Sequence, residues 1–284
     1  MTQTWRLIHS PPAPGAWNMA VDEAILTAVG DGDSPPTLRL YDWSPPCLSL
    51  GYGQRFRDVD LPRLAARQWD VVRRPTGGRA ILHVDELTYA VIAPLDHPLM
   101  RGDIRQSYQR LSRGLLAFLE ILSVPADAQP ITLNGGGTEF RRSRSAPPAQ
   151  DEGPVCFEIP ANWEITANGK KLVGSAQMRR HNAVLQHGTI PLYGDLARIT
   201  EALAFEDESA RQEAAARLLE RAATVESVLG RRVGWEEAAG AFEQGLAQSL
   251  GLALIPGELT HPEAARAEAL LMEKYGNREW VARR

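Results

Sequence analysis

The run E-I-T-A-N-G-K-K-L-V-G-S-A-Q-M-R-R, from Glu164 to Arg180, decides how this chain is read. Two β-prone halves meet at Asn168-Gly169. A type I′ turn needs positive φ at both central positions, which asparagine and glycine tolerate best. The turn sets the register, pairing Ala167 with Lys170 and Thr166 with Lys171. Side chains alternate along an unbroken strand, so Lys171 then shares a face with Glu164, Val173 and Ser175, and Lys170 points the other way. The following run, V-L-Q-H-G-T-I-P-L from Val184 to Leu192, predicts a further strand of the same sheet.

Working upstream, T-L-R-L-Y-D-W (37–43) and C-L-S-L-G-Y (47–52) alternate apolar and polar residues and predict two more strands. Others are expected at V-V-R-R (71–74), in the apolar run to Leu82, and over Leu87 to Ile92. Asn18 reads as the cap of a helix in which Val21, Ile25, Ala28 and Val29 recur at helical spacing. Ile104, Tyr108, Leu111, Leu115, Phe118 and Leu122 form a single stripe, which predicts a second helix with that face in the core. Residues 130–154 collect glycines, prolines and Ser/Arg alternation. They predict a long mobile loop, placed as a lid directly before Cys156. Beyond about residue 196 the chain turns Ala/Glu-rich, with helices expected near Ala210–Leu219, Trp235–Leu250 and Pro262–Tyr275. The expectation is an α/β fold, with mixed sheets wrapped by helices. A domain over 1–215 would be followed by a helical extension over 216–284 packed against it.

The 284 residues suffice to bury a full core, and the formal net charge of -4 argues against a general nucleic-acid binder. No basic region followed by a long apolar run opens the chain, and no stretch reaches membrane-spanning length, so a cytoplasmic enzyme with no membrane partner is expected. Basic pairs at Arg73–Arg74, Arg141–Arg142 and Arg179–Arg180 read as solvated surface, or as a dock for an acidic partner. The two cysteines give no sign of a disulfide framework, a zinc site or any other metal centre. Cys47, at the head of a strand with no accompanying base or cation, reads as a packed thiol.

Cys156, in P-V-C-F-E-I-P, differs because a lysine-bearing hairpin follows it. A cysteine nucleophile needs a nearby cation or base to favour the thiolate, and Lys171 is placed to supply that charge and to hold a thioester carbonyl. Two plainer readings stand beside this one: a buried structural thiol, and a hairpin lysine reaching into solvent. The stretch R-R-P-T-G-G-R-A-I-L-H, from Arg73 to His83, adds a glycine turn that lets backbone N–H groups approach a ligand, flanked by cations. It lacks the Gly-Lys-Ser/Thr of a phosphate loop and is not a dinucleotide fingerprint. His83 reads as a general base, a ligand-orienting donor or a satisfied structural histidine, and His187 falls under the same alternatives.

In order and spacing, R-R-P-T-G-G-R-A-I-L-H, P-V-C-F-E-I-P-A-N-W-E-I, G-K-K-L-V-G-S-A-Q-M-R-R and L-Q-H-G-T-I-P-L resemble the octanoyltransferases of the LipM type, within the biotin/lipoate protein ligase superfamily. The resemblance runs from about Trp17 to Leu192. It implies that fold over 1–215, and transfer of octanoyl from acyl carrier protein to a lysine of a lipoyl domain, such as the glycine-cleavage H protein. By the same matching, Cys156 is the nucleophile that forms a thioester acyl-enzyme. Lys171 orients the acyl carbonyl and favours the thiolate. Arg74, Thr76, Gly77, Gly78, Arg79 and His83 line the acyl pocket, and Gly174, Ser175 and Ala176 close its other wall. No cofactor or metal is implied, because exchanging one thioester for another and then forming an amide needs no ATP.

Three alternatives follow from the same motifs. An ATP-dependent lipoate–protein ligase shares the fold and the lysine, but its glycine turn usually continues G-G-G-A-V-x-H-D, from which Arg79 and His83-Val84 depart. An amidotransferase that moves octanoyl between lipoyl domains carries a cysteine but normally lacks the arginine-to-histidine run. A non-catalytic acyl-protein binder has no use for both Cys156 and Lys171.

Overall fold

The computed structural model describes residues 3–129 and 164–284. Cys156 and the 130–154 segment lie outside the described residues. In chain order the elements are β1 (Gln3–His9), α1 (Gly15–Asp31), β2 (Thr37–Tyr41), β3 (Cys47–Leu50), α2 (Leu61–Ala66), β4 (Asp70–Arg73), β5 (Ile81–His83) and β6 (Glu86–Pro94). They continue with α3 (Ile104–Ile121), β7 (Asp127–Gln129), β8 (Glu164–Ala167), β9 (Lys170–Arg180) and β10 (Ala183–Pro191). The remainder are α4 (Glu208–Arg221), α5 (Val225–Leu229), α6 (Trp235–Leu250), β11 (Leu252–Pro256), α7 (His261–Leu270) and α8 (Arg278–Val281).

Among the described residues the strands form an eight-stranded sheet, ordered β11-β1-β2-β6-β10-β9-β8-β7, and a three-stranded sheet, β4-β3-β5. β1 lies parallel to both of its neighbours, whereas β2-β6-β10-β9-β8-β7 is antiparallel throughout, so the α/β fold carries mixed sheets. The large sheet is buried on both faces. Leu87, Tyr89, Val91 and Ala93 of β6 join a core with α3 and α6, while Ala90 and Ile92 join a second core with α1. That is why β6 reads as a nearly continuous apolar run rather than a clean alternation. The small sheet builds a third core with Leu218 and Ala222 at the end of α4.

Several expectations are corrected. Asn18 is not a helix cap: α1 begins at Gly15, and the buried Asn18 side chain donates to the carbonyls of Ala13 (3.2 Å) and Asp42 (3.0 Å). α3 buries Leu111, Leu115, Phe118 and Leu122 but leaves Ile104 52 % exposed, because its first turn projects past the core. Asp103 caps that helix in a reciprocal box with Gln106, a feature worth about 1 kcal/mol. Arg73 and Arg74 are buried, not solvated. Arg73 donates to the carbonyls of Gly51 (2.9 Å), Gln54 (2.7 Å) and Val281 (2.9 Å), tying α8 to the loop after β3. Among the described residues no helix is long and apolar enough to cross a membrane.

Candidate active site

A pocket with about 430 Å³ of empty space, counting its open mouth, lies between the two sheets. Its floor follows from register. Tyr41, Thr88, Thr189 and Gly174 oppose one another across four strands, and His187 and Ala176 form the adjacent row on the same face. Ser49, Ile81 and His83 of the small sheet form the roof, with Trp43 and Met19 closing the sides. The lining is predominantly apolar with a few converging polar groups, the usual makeup of a small-molecule site.

The Asn168-Gly169 hairpin forms with φ of 51° and 75° at the turn, and Ala167 pairs with Lys170 and Thr166 with Lys171 as expected. The next pair is Ile165 with Val173, so Leu172 is an extra residue and the ladder carries a bulge. Leu172 and Val173 both enter the α3/α6 core, together with Ile165 and Ala167. Lys171, opposite Thr166, therefore faces the other side. It does not share a face with Val173 and Ser175; it lies with Gly174 and Ala176, on the pocket side. Glu164 is displaced from opposite Val173 by Ile165. Lys171 is buried, at 6 % exposure.

The glycine turn packs against the loop after β3. A side chain on Gly51 would overlap the Gly78 carbonyl oxygen, and Gly78 adopts a φ of +93°. Arg74 braces the turn from inside, donating to the carbonyls of Gly77 (2.9 Å) and Arg79 (2.6 Å) and to both the carbonyl and hydroxyl oxygens of Ser49 (3.0 and 3.1 Å). Of the residues singled out in the sequence, the pocket wall brings together Arg74, Gly78, His83, Gly174, Ser175 and Ala176. Thr76 is buried behind that wall, while Gly77 and Arg79 contribute carbonyls that hold Arg74.

Two histidines border the pocket, each set between a carboxylate and a hydroxyl. His83 stacks on Trp43 with centroids 3.9 Å apart. Its Nδ1 lies 2.5 Å from Glu86 Oε1 and its Nε2 2.8 Å from Ser49 Oγ, so both ring nitrogens are engaged. His187 Nδ1 lies 3.1 Å from Asp22 Oδ2, and its Nε2 2.7 Å from Thr76 Oγ1. Behind them, Asp22 accepts from Arg39 (2.7 Å) and from the Tyr41 hydroxyl (2.9 Å). Burial alone would raise the Asp22 carboxyl, but the Arg39 charge and the bond from His187 outweigh it and hold the pKa below the ordinary value. Burial lowers the His187 pKa despite that carboxylate, which keeps the ring neutral. Spacing alone offered no route to Asp22, because the α1 residue meets β10 only in three dimensions. Cys47 is fully buried and burial pushes its thiol pKa well up, so it packs as a core side chain.

Known structures share this architecture. The bipartite lipoate protein ligase of Thermoplasma acidophilum, described together with its E2 lipoyl domain, superimposes with a TM-score of 0.78 at 25 % identity, covering 99 % of this chain and 96 % of that one. A lipoate-protein ligase A bound with ATP gives 0.75 at 26 % identity, covering 99 % of each. The fold is that of the lipoate-protein ligases. The lipoyl protein ligase A/B catalytic-domain family model matches residues 14–247. The octanoyltransferases LipM of Symbiobacterium thermophilum and Kyrpidia tusciae are 40 % and 42 % identical, covering 100 % and 99 % of this chain and 100 % of each relative. The chain belongs to the lipoyl protein ligase A/B family and, within it, to the LipM-type octanoyltransferases, and it is an acyltransferase.

Proposed function

We infer that this enzyme takes octanoyl from octanoyl-acyl carrier protein as a thioester on Cys156 and passes it to a lysine of a lipoyl domain of the glycine-cleavage H protein type. Octanoyl transfer is the activity named for its full-length relatives. The observation that carries the mechanism is the bulge at Leu172, which turns the buried Lys171 to the side of Gly174 and Ala176. A buried ammonium there favours a thiolate and stabilises the oxyanion of a tetrahedral intermediate, a contribution typically of a few kcal/mol when water is excluded. The Cys156 thiolate attacks the donor carbonyl and expels the carrier thiolate. The deprotonated acceptor amine then attacks the acyl-enzyme, forms the amide and releases Cys156. Arg74, Thr76, Gly77, Gly78, Arg79 and His83 shape the acyl pocket on one side, and Gly174, Ser175 and Ala176 on the other. The reaction needs no cofactor, metal, nucleic acid or membrane, and we assign it to the cytoplasm. We divide the chain into a catalytic domain over 1–215 and an extension over 216–284.

Intact-protein mass spectrometry tests this reading. Octanoyl-acyl carrier protein, without ATP, should give an octanoyl adduct that hydroxylamine removes, that maps to Cys156 and that an apo lipoyl domain discharges. Modification of the acceptor only with ATP and free octanoate would transfer the assignment to the ligase chemistry.

A further inference from the structure

The Thr76–His187 bond joins parts of the chain 111 residues apart and links the two layers that enclose the pocket. Thr76 begins the glycine turn that leads from β4 to β5 of the small sheet, and His187 stands in β10 of the large one. We propose that Asp22 and His187 are positioning residues of the acyl site, holding the 76–78 turn and Arg74 at a set height over the large sheet. The functional part of this proposal rests on the acyl-transfer reading above.

The chain of bonds has one direction. Asp22 is ionised, so it can only accept, and the proton on Nδ1 of His187 points to it. In the neutral ring Nε2 then carries a lone pair, and the Thr76 hydroxyl must donate to it. Asp22 is itself held by Arg39 on β2, whose guanidinium also donates to the Asn18 carbonyl (3.2 Å) and side-chain oxygen (2.8 Å). The anchor is therefore a rigid piece of helix and sheet. Thr76 does not line the pocket, and its neighbours Arg74 and Gly78 do. Releasing Thr76 leaves the lining chemically unchanged but frees the turn, and Arg74 moves with it through the Gly77 and Arg79 carbonyls. A displacement of about 1 Å at such a distance is enough to cost up to about 10²-fold in rate.

The test combines kinetics with a direct view of the ring. Thr76→Val should lower kcat for octanoyl transfer by about tenfold or more with little change in donor KM, and Thr76→Ser should recover most of the loss. The double variant Thr76→Val with His187→Leu should be no worse than the poorer single variant, because both break the same bond. Histidine 15N NMR of the whole enzyme should show His187 with Nδ1 protonated and Nε2 bare, and Asp22→Asn should change that tautomer. An unaltered kcat in Thr76→Val, additive losses, or a protonated Nε2 in the native enzyme would each overturn the proposal. The NMR result stands if His187→Leu does not fold. Absence of octanoyl transfer by the unmodified enzyme would instead remove the acyl-transfer reading, and with it the functional part of this one, while the tautomer is read independently.

Discussion

Lys171 and Val173, two positions apart on one strand, face opposite sides of the sheet because Leu172 between them is an extra residue. In an unbroken strand they would share the core face. There the ammonium would point into the α3/α6 core, an uncompensated buried charge.

Deleting Leu172 should therefore leave Lys171 opposite Thr166 and Val173 opposite Ile165, keep transfer activity, and cost on the order of 2–5 kcal/mol for the buried leucine it removes. Adding Lys171→Met to the deletion should abolish most of the transfer without recovering the lost stability in urea unfolding. In the native register, Lys171→Ala should reduce kcat on the order of 10²–10³-fold, the usual effect of losing one oxyanion-stabilising donor. Recovery of wild-type stability by Lys171→Met in the deletion variant would mean that the ammonium had turned to the core and that Leu172 is not the extra residue.

Gly188 stands where β10 crosses between β6 and β9. A methyl group there would lie 2.5 Å from the Gly174 carbonyl oxygen and 2.8 Å from the Tyr89 hydroxyl oxygen. The carbonyl belongs to a paired strand and cannot retreat, so Gly188→Ala should cost about 1–3 kcal/mol. Thermal unfolding compares the two proteins directly, and an unchanged midpoint would contradict the close approach of β9.

Protonation of His187 is opposed by burial, so its folded pKa lies below the ordinary value of 6.5. Between the two values the unfolded chain binds the extra proton, and stability falls as pH falls. The stabilisation is complete above about 6.5 and is lost progressively below it. The difference in urea stability between the wild type and His187→Gln should therefore shrink as pH drops from 7 toward 5. A difference that stays flat over that range would show a histidine with no depressed pKa.

Asp42 follows the opposite sign. Burial, with help from Glu86 and Asp85, raises its carboxyl to about 6, against the bond from the Trp43 N–H. Its ionisation weakens the fold as pH rises through about 6, since here the folded state binds the proton more tightly. Asp42→Asn keeps an oxygen for that N–H. It should raise the melting midpoint at pH 8 and make little difference at pH 4.

Cys47 should be silent toward a thiol reagent in native Cys156→Ala protein and should react fully once the chain is unfolded. Cys47→Ala should keep transfer activity and lose about 1 kcal/mol, the cost of a small buried vacancy. Native labelling of Cys47 would contradict its packing beside Gly15 in the α1 core.

Much of this arrangement was legible in one dimension because its causes are local. The Asn168-Gly169 turn dictates its own pairing through backbone geometry, and the α3 stripe from Leu111 to Leu122 announces a buried face by its period. The strands at Gln3–His9 and Leu252–Pro256 escape a local reading, since each pairs with the other across the whole length of the chain. Asn18 reads locally as a helix cap, yet its side chain answers carbonyls brought near by folding, not by the local helix start.

By itself, the sequence determined the kinship, the hairpin register at the turn and the motif order, all of which depend on neighbours within a few residues. Tertiary structure alone decided that Leu172 bulges so that Lys171 turns to the pocket side, that Arg73 anchors the C-terminal helix while Arg74 braces the site, and that Asp22 of α1 reaches His187 of β10. The reason is physical. Which face a bulged strand buries, and which buried charges meet, depend on the packing of distant elements against one another, and no local period encodes that.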